Sequence, residues 1–276
     1  MIRISGDVFD ISSMNESYPR GSVERQLLSM MSQSSQKYDF DNLSQLQFEL
    51  SMRKEIVNAT AALNASDLGF SVFHKSRCNP EYWDRMQNGG FKLKAGADPA
   101  RAIQDIFVNG GKYATECATA MIIVYYKALL SIFKHEVFNK LFPEIYLMNW
   151  HALDSLLKEV GKPHKVEDFL YGDRGYFKNP DVDPKTPEWQ GENVIVLPDG
   201  LYYGHGIGIT TAKEIIRTLN GNRKKNATQP AYFLDTASRP DFKKLSGVYD
   251  RSERAASLVW SFPPDVKLPR AASVSL

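Results

Sequence analysis

The chain of 276 residues has two cysteines, five histidines and no long apolar run free of charge. Each scarcity excludes something. Cys78 and Cys117 alone do not make a disulfide framework. No CxxC pair and no Cys/His cluster with zinc spacing occurs, and His74, His135, His151, His164 and His205 are scattered, so no metal or other cofactor is expected. The longest apolar stretch, Ala118 to Phe133, is broken by Lys127 and is too short for a bilayer span. It reads as a buried helix. The N-terminus, Met1-Ile2-Arg3-Ile4-Ser5-Gly6-Asp7, lacks a basic segment followed by an apolar one, so cytoplasmic synthesis without a signal peptide is expected. A net charge of +2 gives no electrostatic bias toward nucleic acid or anionic membrane.

Apolar residues are plentiful at 43%, with 12% aromatics, enough for a substantial core. The spacing of Leu46, Leu50, Val57 and Leu63 predicts a helix over 43–63, with Arg53, Lys54 and Glu55 on its wet side. A short strand at 1–4 and a helix around 23–31 precede it. Asp98-Pro99 reads as an N-cap with proline in the first turn. Residues 76–98 and 160–190 read as loop- and turn-rich, and Ile145 to Met148 as a short strand. Glu192 to Leu197, a Pro198-Asp199-Gly200 turn and Leu201 to Ile207 read as a hairpin. Thr210 or Thr211 caps a helix to Leu219, and Ala231 to Leu234 forms one more strand.

Cys117 carries the most information. It lies in Gly110-Gly111-Lys112-Tyr113-Ala114-Thr115-Glu116-Cys117, just before the apolar run. With Thr115 as N-cap, the thiol falls in a first helical turn, where free N–H groups and the helix dipole favour a thiolate. The competing reading is a small buried packing residue. Acyl transfer by cysteine needs a proton carrier and an oxyanion site as well as the thiol. His205 and Glu192 are candidates for the carrier, with Glu116 a neighbour that must bend back to reach the sulfur. N–H groups at the helix start could hold the oxyanion. If Leu197 pairs with Leu201, Asn193 faces position 205 and Glu192 points to the other side of the sheet, unless a bulge at Gly204 or Gly206 intervenes.

A cysteine helix followed by an antiparallel hairpin carrying histidine is an α+β order. It is the arrangement of papain-like cores, with a nucleophile helix packed on a small antiparallel sheet.

The segments Glu116-Cys117-Ala118-Thr119-Ala120, Glu188-Trp189-Gln190-Gly191-Glu192-Asn193-Val194-Ile195 and Tyr203-Gly204-His205-Gly206-Ile207-Gly208-Ile209 resemble the bacillar spore-coat protein-glutamine gamma-glutamyltransferases. So do Tyr176-Phe177-Lys178-Asn179-Pro180, Asn149-Trp150-His151 and Leu46-Gln47-Phe48-Glu49-Leu50. The likeness keeps one order over about 1–245. It implies one transglutaminase domain over 1–246, with 247–276 as a C-terminal extension rich in Ser, Pro and Arg.

The resemblance also implies a calcium-independent enzyme that joins Gln to Lys side chains and releases ammonia. In that reading Cys117 matches the nucleophile, Glu192 the acid/base group, with Glu116 able to share the role, and His205 a histidine near the thiol. Trp150 and Trp189 match tryptophans lining the substrate channel, and Tyr176 and Phe177 could add to its walls. Asn149 departs from the family's Asp-Trp-His, keeping a hydrogen-bonding group without the charge. Partners implied are coat proteins bearing Gln and Lys, with a monomeric enzyme located in the spore coat. A papain-like cysteine peptidase or amidase using His205 as main base, and a non-catalytic coat-assembly protein, are the alternatives.

Overall fold

The computed structural model describes residues 1–14 and 16–260, without the side chains of 256–260. The chain forms helices α1 (Val23–Gln33), α2 (Leu43–Asn64), α3 (Pro99–Val108), α4 (Cys117–Ile132), α5 (His135–Leu141), α6 (Ala212–Asn220) and α7 (Phe242–Trp260). The central sheet has five strands: β1 (Arg174–Lys178), β2 (Gly191–Val196), β3 (Leu201–Gly204), β4 (Gly208–Thr211) and β5 (Tyr232–Phe233). Their order is β4-β3-β2-β1-β5, and every pairing is antiparallel. The chain is thus a mixture of helices and small sheets. The papain-like label is narrower than that description.

The helices begin where side chains can cap them. Asn42 accepts from the Gln45 amide, Asp98 from Arg101 and Thr211 from Glu214. Ala118 to Tyr126 of α4 are buried without a break, so this helix is apolar all round and lies at the centre of the core. It packs against α2 on one side and against β2 on the other. Ile195 and Leu197 join the α4 core, whereas Val194 and Phe177 join a smaller cluster with Ile215 and Leu219 of α6. The sheet therefore separates two apolar layers, and alternate residues of β2 face opposite ways.

Three expectations need correction. Arg53 is not on a wet face. It is fully buried, paired with Glu49 and Asp173 at 2.8 Å each, and lies over the Phe242 ring. Helical periodicity alone misplaces such an arginine, because the partner Asp173 is far away in sequence. Second, the stretch read as turns contains β1, which lies between β2 and β5. Two further strands, Trp83–Arg85 and Phe91–Leu93, lie in the other loop-rich segment. Third, the hairpin's return strand ends at Gly204. Left-handed Gly206 and Gly208 (φ +97° and +95°) fold the chain back into β4. The helix α7 runs across position 246, and 261–276 of the expected extension lies outside the described residues.

Candidate active site

Cys117 is the first residue of α4, but the cap is Glu116 and not Thr115. The Glu116 carboxylate accepts from the Ala118 amide at 2.6 Å and the Thr119 amide at 2.8 Å, and the Thr119 hydroxyl donates to it as well. Thr119 Oγ1 in turn accepts from the Asn149 amide at 2.9 Å. Asn149 adopts φ +34°, a left-handed conformation that asparagine tolerates, and its side-chain oxygen accepts from the His151 amide at 2.9 Å. This chain of contacts seats the 149–150 turn beside the thiol.

The expected lowering of the thiol pKa is reversed. Burial pushes the Cys117 thiol up, and the charges of Glu192 and then Glu116 push it further; hydrogen bonds from Asn193 act the other way. The helix-start amides at 118 and 119, which were to favour a thiolate and hold an oxyanion, already serve Glu116. Glu116 is itself pushed up, chiefly by burial, against the effect of those donors.

Register decides where the neighbours point. Val194 pairs with Gly204 and Ile195 with Tyr203, and the Leu197 amide donates to Leu201, so no bulge interrupts the hairpin. Asn193 faces α4, and its Nδ2 donates to Cys117 Sγ at 3.4 Å. Glu192 lies on the face shared with Gly204, whose missing side chain leaves room for the carboxyl; a Cβ there would fall 2.8 Å from Glu192 Cγ. The Glu192 side chain is buried, and its Oε1 has no hydrogen-bond partner. Its carboxyl is held well above the usual carboxylate range, first by desolvation and then by Glu116; the backbone amide of His205 opposes this.

His205 is buried with both ring nitrogens engaged. Nδ1 meets the Tyr203 hydroxyl at 3.0 Å and Nε2 meets the Gly69 carbonyl at 3.2 Å. Since a carbonyl only accepts, Nε2 carries the proton and Nδ1 accepts from Tyr203. Burial pushes the imidazole pKa down to about 4. The ring is a neutral strut between β3 and the Gly69–Phe70 strand.

A cleft of about 670 Å³ opens over Cys117. Glu116, Asn149, Trp150, Tyr176 and Asn193 border it, and Phe70 and Phe73 form an apolar rim. Trp189 does not border it. Its ring stacks on Phe70, centroids 6.4 Å apart, so the contact with the cleft runs through Phe70. Glu192 and His205 likewise do not border it.

Arg174 and Thr119 were missed as site residues. Arg174 Nη1 donates to Asn193 Oδ1 at 2.7 Å, and its guanidinium lies 4.2 Å from the Trp150 ring centre. It opens β1, inside the segment read as turns. The adjacent aromatics Tyr176 and Phe177, residue types that favour strands, were the available signal. Among the described residues no group of three or more His, Cys, Asp and Glu side chains is arranged to hold a metal ion, and no helix is long and apolar enough to cross a membrane.

Comparison with known proteins agrees with the resemblance. The family model "TGL: Protein-glutamine gamma-glutamyltransferase" matches residues 1–249. A protein-glutamine gamma-glutamyltransferase of Bacillus cereus (strain 03BB102) is 43% identical over 246 residues, covering 89% of this chain and 88% of that one. Another from Bacillus cereus (strain B4264) is 42% identical over 264 residues, covering 96% and 94%. The solved transglutaminase from Geobacillus stearothermophilus, without its C-terminal extension, is similar with a TM-score of 0.71 at 48% identity, covering 75% of this chain and 98% of that one. With residues 1–249 matched by the family model and most of its length by relatives of one kind, the chain belongs to the protein-glutamine gamma-glutamyltransferase family and is a transglutaminase.

Proposed function

We propose that the enzyme works through a Cys117 thioester, with Glu192 as the proton carrier. The observation that carries this reading is the unpartnered, buried Glu192 Oε1 in electrostatic contact with the only thiol in the cleft. A buried polar atom without a partner calls for a reason, and transfer of a proton supplies one.

Cys117 and Glu192 hold their protons tightly at rest. Once the pair has lost one proton, the Glu192 carboxylate takes the thiol proton as the sulfur attacks the carboxamide carbon of a glutamine. That proton passes to the departing nitrogen, the C–N bond breaks, and ammonia leaves a thioester. A neutral lysine amine then attacks the thioester. Its proton returns through Glu192 to sulfur, the C–S bond breaks, and the isopeptide bond is complete.

Glu116 is the weaker carrier, since both its oxygens already accept hydrogen bonds. The anchored, neutral His205 supports its neighbours and does not favour the peptidase reading, which needs an imidazole free to accept a proton. Phe70, Trp150 and Tyr176 around the thiol suit an acceptor lysine that must shed its proton and a thioester that must avoid water. The helix bearing the thiol, laid on an antiparallel sheet, supports the papain-like reading of the core. Calcium independence and a place in the spore coat, on coat proteins bearing Gln and Lys, rest on the family resemblance.

The experiment is intact-mass measurement after mixing with a glutamine peptide, with and without a primary amine. A thioester adduct less ammonia on Cys117, discharged by amine, is expected; activity abolished by EDTA and restored by calcium would contradict the metal-free route.

A further inference from the structure

Arg174 is 7% exposed, and no carboxylate pairs with it among the described residues. The other buried arginine, Arg53, has two acids. A buried cation without an anion is costly, so its retention needs a counterpart. The partners of Arg174 are neutral: Asn193 Oδ1 at 2.7 Å, Ser238 Oγ at 2.6 Å, the Val160 carbonyl at 3.2 Å and the Trp150 ring. The link to Asn193 is directional. Because the guanidinium only donates, it fixes Oδ1 toward itself and turns the Asn193 NH₂ group to Cys117 Sγ, 3.4 Å away. A flipped amide would set two donors face to face.

We propose that Arg174 is a positioning residue that readies the site for a sulfur anion: it locks Asn193 with its NH₂ aimed at Sγ and supplies the buried positive charge two links behind. This rests on Cys117 being the nucleophile. The charge is absent from resting Cys117 and appears during attack and again when lysine displaces the sulfur, so the interaction gains strength where the reaction needs it. The charged side chains that act on the sulfur are otherwise acidic. Glu192 and Glu116 oppose the anion, and burial with Cys117 and Glu192 pushes the Tyr176 phenol up to about 12. At the cleft mouth, His74, Lys75 and Glu188 are exposed. Arg174 is the cation built into the protein side of this set.

The test is the pH dependence of iodoacetamide alkylation of the full chain, read by mass spectrometry on the Cys117 peptide so that Cys78 is counted separately. Arg174→Met should move the midpoint upward by about a unit, slowing alkylation ~10-fold on the rising limb. Arg174→Lys should recover only part of this, because lysine keeps the charge and loses the fork. Asn193→Ala should shift the midpoint the same way, and adding Arg174→Met to it should do little more. A merely structural role would lower stability without moving the midpoint. If Arg174→Met does not fold, Asn193→Ala decides, since its side chain borders the cleft and water can replace it. An unchanged midpoint in either folded variant, with normal wild-type alkylation, overturns the inference alone. A wild-type Cys117 inert at every pH overturns it together with the thioester reading.

Discussion

Gly204 and Glu192 share one face of the sheet so closely that a methyl group on the glycine would lie 2.8 Å from Glu192 Cγ and 3.1 Å from its Oε1. Glycine at 204 is therefore a statement about the carboxyl and not about the turn. Gly204→Ala should displace the acid and cut amide transfer by at least ~10-fold, within the range a positioned acid/base contributes. Thermal unfolding and steady-state rates measured together check this. An alanine enzyme with unaltered turnover would remove Glu192 from the reaction.

Glu192→Gln should cost ~10²–10⁴ in rate. It should also change stability in a defined direction. The folded-state pKa of Glu192 is raised, so its ionisation favours the unfolded chain as pH climbs above the ordinary carboxylate range. Below that range the acid is protonated in both states and costs nothing. The glutamine variant should thus melt higher than wild type at pH 8, with the advantage vanishing at pH 4. Differential scanning calorimetry at the two pH values distinguishes this from a general packing defect.

Glu116→Gln tests the division of labour between the two acids. Glu116 caps α4, and losing the charge-assisted bonds to the 118 and 119 amides should cost about 1–2 kcal/mol of stability. Transfer activity should fall far less than in Glu192→Gln. A larger kinetic loss at position 116 than at 192 would reverse the assignment.

Position 205 predicts an acid-side effect. With a folded pKa near 4 against an ordinary 6.5, His205 is neutral in the native enzyme, and protons favour unfolding as pH falls from about 6.5 toward 4. His205→Asn should flatten stability over that interval, measured by urea titration at each pH. It should leave no inflection near 6.5 missing from the rate profile, because wild type has none there.

Much of this was legible in the sequence, and the exceptions share a cause. Local signals suffice for the cap at Asp98, the 43–63 helix and the Pro198-Asp199-Gly200 turn, and they leave the hairpin register conditional on Leu197 pairing with Leu201 without a bulge. The structure meets that condition, and Asn193 and Glu192 point to opposite faces. What failed depended on distant partners. Arg53 looked solvated because Asp173 could not be foreseen, and β1 looked like a loop because its neighbours are β2 and β5. The thiol's protonation was misjudged for the same reason. Helix position argues for a thiolate, but its two nearby acids and its burial come from the assembled fold.

Asp173 and Arg174 are consecutive, yet each is held from late in the chain: Arg239 pairs with Asp173 at 2.7 Å, and Ser238 receives Arg174. The consequence is one of timing during translation. While 238–239 remain unmade, the carboxylate lacks one of its two cations and the guanidinium one of its anchors. A chain grown to 237 residues already contains Cys117 and Glu192 but not the brace behind them. The contacts that hold Asp173 and Arg174 from behind the thiol are thus among the last to be completed as the chain is made.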